Sequence, residues 1–151
     1  MRRIIVLLVL SGLFFPMMNL TQEATAATNP CTGRRFYVHK RLSDDEIRTR
    51  VKNLIRCATN LWPVAGGYPK AVSVFTCESG LWPWAYGNGN AGVAQQRLRY
   101  WVGRADTYLR SWWFPKHWSY VRTEGWFQAR ANVLLSVRMA HAVGWSPWSC
   151  A

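Results

Sequence analysis

One glutamate in this chain stands where an acid can do chemistry. Glu78 lies in Cys77-Glu78-Ser79-Gly80, and a glycine-rich run follows, Gly87-Asn88-Gly89-Asn90-Ala91-Gly92-Val93-Ala94-Gln95. Ala71, Val74 and Phe75 precede it at helical spacings, so on a helix Glu78 continues the apolar face. Pro69 suits the first turn of that helix and Gly80 its left-handed C-cap. A carboxylate there meets the negative end of the helix dipole, and Trp82 and Trp84 are near enough in sequence to shield it from water. Both effects disfavour the charged form, which is how a glutamate becomes a general acid near neutral pH. A cap-region glutamate in an ordinary salt bridge is the alternative, and the local sequence does not choose.

Glu78-Ser79 followed by Gly89-x-x-Gly92-Val93-Ala94-Gln95 resembles the active-site signature of lytic transglycosylases and goose-type lysozymes. That signature reads Glu-Ser, a short variable stretch, then Gly-Ala-x-Gly-Leu-Met-Gln. Ala131-Asn132-Val133-Leu134 resembles the family's Ala-x-Asn-Ile-type helix. With Gly144-Trp145-x-x-Trp148-x-Cys150 at the end, the whole pattern is similar to small secreted lysozyme-like proteins of bacteria. The resemblance covers Ala71 to Cys150 and leaves the earlier segment unexplained. Ala94 is smaller than the usual Met or Phe, Asn90 stands where Ala is common, and the family's substrate-contacting Tyr has no unambiguous counterpart. What the resemblance implies is a mainly α, lysozyme-like α+β domain with a Gly-rich loop or short hairpin beside the Glu78 helix. It also implies Glu78 as the catalytic residue, with Ser79, Gly92, Gln95 and Asn132 around the substrate; Trp82 and Trp84 join them by position, flanking the Glu78 cap. Each has a plainer reading: Gln95 a surface glutamine, Ser79 the start of the cap, Asn132 a group satisfying buried backbone, and each tryptophan a packing residue.

The other acids constrain the mechanism. Beyond Glu78, residues 27–151 hold only Asp44, Asp45, Glu46, Asp106 and Glu124. The first three belong to a helix-capping turn, which leaves Asp106 and Glu124, both in polar, irregular sequence. Ordinary glycoside hydrolysis uses two carboxylates. Lytic transglycosylases work with one Glu, which protonates the glycosidic oxygen and then deprotonates the sugar's own C6 hydroxyl as it attacks the anomeric carbon. The shortage of acids fits that mechanism better. His39, His117 and His141 are scattered, and no close Cys pair suggests zinc, so neither a metal nor an organic cofactor is expected.

Charge and export point the same way. Met1-Arg2-Arg3 before Ile4–Leu10 has the n- and h-regions of a secretory signal, and Ala24-Thr25-Ala26 supplies a cleavage pattern, so residues 1–26 are expected to be removed. Their loss takes the formal charge from +12 to +11. A basic surface speeds encounter with any polyanion; export favours the cell wall over nucleic acid. The expected product is a secreted or wall-associated monomer without a membrane anchor, acting on peptidoglycan glycan strands.

Cys31, Cys57, Cys77 and Cys150 are an even set in an exported small domain, which reads as two disulfides. Sequence allows three pairings; Cys31–Cys57 and Cys77–Cys150 are the expected ones, because proteins of the resembled family keep the second pair without necessarily having the first. Such a bridge would clamp the C-terminus beside Glu78.

The elements that must position these residues follow from local signals. Residues 27–42 read as an irregular arm. Ser43-Asp44-Asp45-Glu46 is a capping box, and Ile47, Val51, Leu54, Ile55 and Ala58 continue it as a helix from Asp44 to Ala58. Leu61 to Gly67 is turn-rich, and residues 87–90 cannot be regular helix. Arg97 to Trp118 is aromatic, basic and broken at Pro115. Gln128 to Val143 reads as a buried helix stopped by Gly144. Residues 27–151 thus form one domain, with an arm and first helix over 27–60 and the core of the resemblance over 68–150. Trp145-Ser146-Pro147-Trp148-Ser149 also matches the tryptophan motif of thrombospondin-type repeats, but that motif opens a cysteine-rich module and only Cys150 and Ala151 follow here.

The expected activity is cleavage of the β-1,4 bond between MurNAc and GlcNAc. Hydrolysis on the same fold and a non-catalytic cationic wall-binding or antimicrobial protein are the alternatives. Arg99-Tyr100-Trp101, basic beside aromatic, keeps the last one open.

Overall fold

A computed structural model describes residues 29–151; the expected signal segment, 1–26, lies outside them. The chain is mainly helical with one small sheet, as expected. Helix α1 spans Asp44–Leu61, capped by the Ser43 hydroxyl, which accepts from the Glu46 N–H at 3.3 Å. It runs one turn beyond the expected end. Thr59 is buried there with its hydroxyl turned back to the Ile55 carbonyl at 2.9 Å, so its burial leaves no unpaired hydroxyl. The helix stops at Trp62, which is extended because Pro63 follows.

Helix α2, Gly67–Ser79, opens two residues before Pro69. Proline is tolerated in this first turn, where the N–H groups have no partner within the helix. Its C-cap Gly80 is left-handed at φ 64°, and its N–H reaches Thr76 at 2.7 Å. The glycine-rich run folds as three two-residue antiparallel strands in the order β1 (Tyr86–Gly87), β2 (Asn90–Ala91), β3 (Gln96–Arg97). Asn88 and Gly89 turn the first hairpin, both at positive φ, the conformation that suits strand twist in a two-residue turn.

The stretch that sequence left least legible holds α3 (Trp101–Tyr108) and α4 (Trp118–Glu124), packed on one another and separated by a short turn at Ser111–Trp113. Helix α5, Ala129–Val143, is the hub. Residues 131–137 are all buried, because α1 covers one side, α3 another, and the sheet loop meets Asn132. The buried polar residues of the helix, Asn132 and Ser136, are hydrogen-bonded to the sheet loop and to Gln96.

Half of the ten tryptophans fill the core: Trp62, Trp101, Trp113, Trp145 and Trp148. Indole N–H groups in such places need acceptors. Trp101 finds Val121 O at 3.0 Å, Trp145 finds Ala65 O at 2.8 Å and Trp148 finds Ala94 O at 3.0 Å.

Both implied disulfides are present, Cys31–Cys57 and Cys77–Cys150. The first ties the N-terminal arm to α1, and Arg130 of α5 fastens the same arm through Pro30 O, at 2.9 Å, and Asn29 Oδ1. Burial beneath the arm and against the Phe114 ring lowers the Arg130 guanidinium to about 10.

Candidate functional site

Glu78 occupies the last turn of α2, and its carboxylate turns toward the C-terminal tail. Oε1 accepts from the Ser149 hydroxyl and from the Cys150 backbone N–H, each at 3.2 Å. Oε2 has no hydrogen-bond partner and Glu78 no ion pair among the described residues. The salt-bridged cap glutamate allowed by the local sequence is therefore not what forms. Two constraints hold the tail in place: the Cys77–Cys150 bridge, beside Glu78 in sequence, and the Trp148 indole on Ala94 O.

In front of Glu78 lies a cleft of about 400 Å³. Its walls are the tail at Pro147, Trp148 and Ser149, the sheet at Asn90 and Gln96 with Gln95 in the turn before β3, and a basic face of Arg97, Arg99, Tyr100 and Arg104. Glu78 is its one acidic residue. Cavities of about 380 Å³ beside Cys57 and about 230 Å³ beneath the arm have no acid in their walls.

The loop opposite Glu78 is held by the residues of the motif. Ser79 donates to the Val93 carbonyl at 2.6 Å or to Phe75 O at 3.2 Å, and accepts from the Trp82 N–H at 3.2 Å, so it joins the end of α2 to the loop. Asn132 is fully buried on α5. Its Oδ1 accepts from Ala94 N–H at 2.9 Å, and its Nδ2 donates to Ala91 O at 3.2 Å and Trp126 O at 3.0 Å. Gly92 makes that approach possible: a Cβ there would lie 2.1 Å from Trp126 O and 2.3 Å from Asn132 Nδ2, at a φ of +80°. Gln95, also left-handed, spends its amide N–H groups on Ala85 O (3.2 Å) and Gly92 O (3.0 Å). Its Oε1 has no partner among the described residues.

The implied substrate contacts therefore divide. Gln95 lines the cleft with Glu78. Asn132 does not meet a ligand from solvent, because it is closed in and its amide is saturated by backbone. Gly92 is likewise buried, and Ser79 has its hydroxyl committed to backbone; all three shape the loop. Trp82 and Trp84 pack edge-to-face on each other at 5.3 Å, with Lys40 over Trp84 at 5.8 Å, and neither lines the cleft. The tryptophan that does is Trp148, delivered by the tail.

The other acids lie outside the cleft. Arg122 clamps Asp106 with two hydrogen bonds, Nε to Oδ1 at 2.7 Å and Nη2 to Oδ2 at 2.8 Å, which holds the Asp106 carboxyl below its ordinary range. Glu124 is exposed, Glu46 pairs with Arg50, and Asp45 lies 4.0 Å from Arg48. Among the described residues no cluster of three or more His, Cys, Asp or Glu side chains is disposed to hold a metal ion.

Sequence reasoning missed Gln96, Arg97 and Arg104. Gln96 is only 1% exposed; it donates to Ser136 Oγ at 2.8 Å and accepts from Arg104 Nη1 at 2.5 Å. A signal existed for part of this. Gln96 and Arg97 alternate in and out along a strand, and Tyr100 and Arg104 are four apart, hence on one side of α3 while Trp101 and Ala105 face the core.

Compared with known protein families, curated proteins and solved structures, the chain matches none of them. The resemblance to lytic transglycosylases accordingly rests on the motif residues alone.

Proposed function

We propose that this chain cleaves the β-1,4 bond between MurNAc and GlcNAc in peptidoglycan, as a lytic transglycosylase with Glu78 as its single acid/base. The observation that supports the reading is the pairing of one uncommitted carboxylate oxygen, Glu78 Oε2, with a cleft that holds no second acid. Donors on Oε1 leave Oε2 as the atom to carry a proton. Oε2–H protonates the glycosidic oxygen as the bond to the anomeric carbon breaks. The carboxylate then takes the proton of the C6 hydroxyl as O6 bonds to that carbon, and Glu78 returns to its acid form. Gln95 Oε1 can accept from a sugar hydroxyl or acetamido N–H in the same cleft. Two disulfides suit an exported protein, which fits a cell-wall substrate.

Digestion of purified peptidoglycan by the chain lacking residues 1–26, with the fragments weighed, tests the proposal. Transglycosylation leaves 1,6-anhydromuramic ends one water lighter than hydrolysed ends. Reducing ends throughout would make the protein a lysozyme. No fragments at all would favour the second reading, a cationic wall-binding protein, which the three arginines of the cleft support.

A further inference from the structure

We infer that the Glu78 cleft selects glycans that carry carboxylates, gripped by the Arg104 guanidinium with Arg97 and Arg99 beside it. The inference rests on the peptidoglycan reading above and names the part of the substrate the basic face takes.

Arg104 is anchored by a neutral partner. Its Nη1 donates to Gln96 Oε1 at 2.5 Å, and Gln96 is pinned in turn by Ser136 Oγ at 2.8 Å. The anchor fixes the guanidinium without neutralising it. Every ion pair among the described residues lies elsewhere, at Asp45–Arg48, Glu46–Arg50 and Asp106–Arg122. Arg97, Arg99 and Arg104 therefore face the cleft with no carboxylate of their own. Two of them lie over the Tyr100 ring, Arg99 at 4.6 Å and Arg104 at 5.3 Å from its centroid. Partial burial lowers the Arg104 pKa, so its charge stands partly out of water and gains most from an anionic partner.

A planar, pre-positioned guanidinium pairs with a carboxylate through two parallel N–H donors. A neutral polymer of N-acetylglucosamine offers such a group only hydroxyl and acetamido oxygens, and no carboxylate for a charge-assisted pair. A peptidoglycan strand offers carboxylates from two sources, the stem peptides or, once the stems are removed, the lactyl groups of muramic acid.

The test uses the Glu78→Gln protein, so that ligands survive, and three glycan oligomers of equal length: stem-bearing peptidoglycan strands free of teichoic acid, the same strands after amidase treatment, and chitin. At least one carboxylate-bearing strand is expected to bind about tenfold or more tighter than chitin, the scale of charge-assisted hydrogen bonds; whichever strand it is identifies the source. Adding Arg104→Gln should bring that strand to within about twofold of chitin. Removing equal charge from the exposed Lys52 or Lys116 should not. Because Arg104→Gln also strips Gln96 of a partner, the Arg97→Gln/Arg99→Gln pair, on exposed side chains, provides a second reading and should narrow the preference. Equal binding to all three oligomers overturns the inference, as does a preference that survives both sets of substitutions. The underlying activity fails separately. Wild-type protein that cuts no glycan removes the enzyme reading but leaves a measured carboxylate preference standing, whereas equal cutting of chitin and peptidoglycan removes the preference and keeps the enzyme.

Discussion

The Cys150 backbone N–H donates to Glu78 Oε1 at 3.2 Å, from 72 residues further along the chain. Ser149 adds its hydroxyl to the same oxygen. The aim of the carboxylate is therefore set by the far end of the molecule.

Glu78→Gln keeps the size of the side chain and an oxygen able to accept from Ser149 and Cys150, but cannot deliver a proton. Cleavage should fall by at least about a hundredfold, with circular dichroism, melting temperature and glycan binding unchanged. Substantial turnover by a correctly folded variant would take Glu78 out of the mechanism.

Replacing Cys77 and Cys150 by serine should act twice. The bridge closes 73 residues, worth roughly 4 kcal/mol in the chain-entropy model, so melting should drop by more than about 10 °C. Below that temperature the folded variant should still cut more slowly than wild type, because the donors to Oε1 are no longer tethered. Equal rates at 25 °C would show that the tail does not position Glu78.

Asn132→Ala strips partners from Ala94 N–H, Ala91 O and Trp126 O at once. Leaving such buried groups unpaired should cost about 2–4 kcal/mol, read from denaturant titration. Gly92→Ala should cost at least as much, since its Cβ has no room and its φ is left-handed. In both cases the loop opposite Glu78 should loosen. A variant of normal stability would contradict the packing described.

Asp106→Asn separates the second acid from catalysis. Arg122 holds the Asp106 pKa below its ordinary value, so the pair stabilises above the unfolded-state value of about 3.9 and loses this as pH falls through the lower folded value. Wild type should melt slightly higher than Asp106→Asn at pH 6, and the gap should close in acid. It should be small, because the pair is exposed. Peptidoglycan cleavage should persist in Asp106→Asn; its loss would bring Asp106 back as the water-activating acid of a hydrolase.

What the sequence determined by itself is what depends on neighbours within one or two turns. The Ser43 to Glu46 capping box and the apolar spacing through Ala58 mark α1, Gly80 ends α2, the apolar run before Gly144 marks α5, and the Gly/Asn cluster at 87–90 excludes regular helix there. These signals are local, since a helix bonds four residues back and a cap satisfies its own first turn. The tertiary structure alone decided the site. Glu78 meets its partners 71 and 72 residues away, Asn132 meets the loop across 38 and 41, and Gln96 meets Ser136 across 40. Trp148 rather than Trp82 or Trp84 reaches the cleft because the disulfide and the indole bond to Ala94 bring the tail there. Such contacts depend on which backbones approach once the core closes around α5, and no periodicity within a single segment encodes that approach.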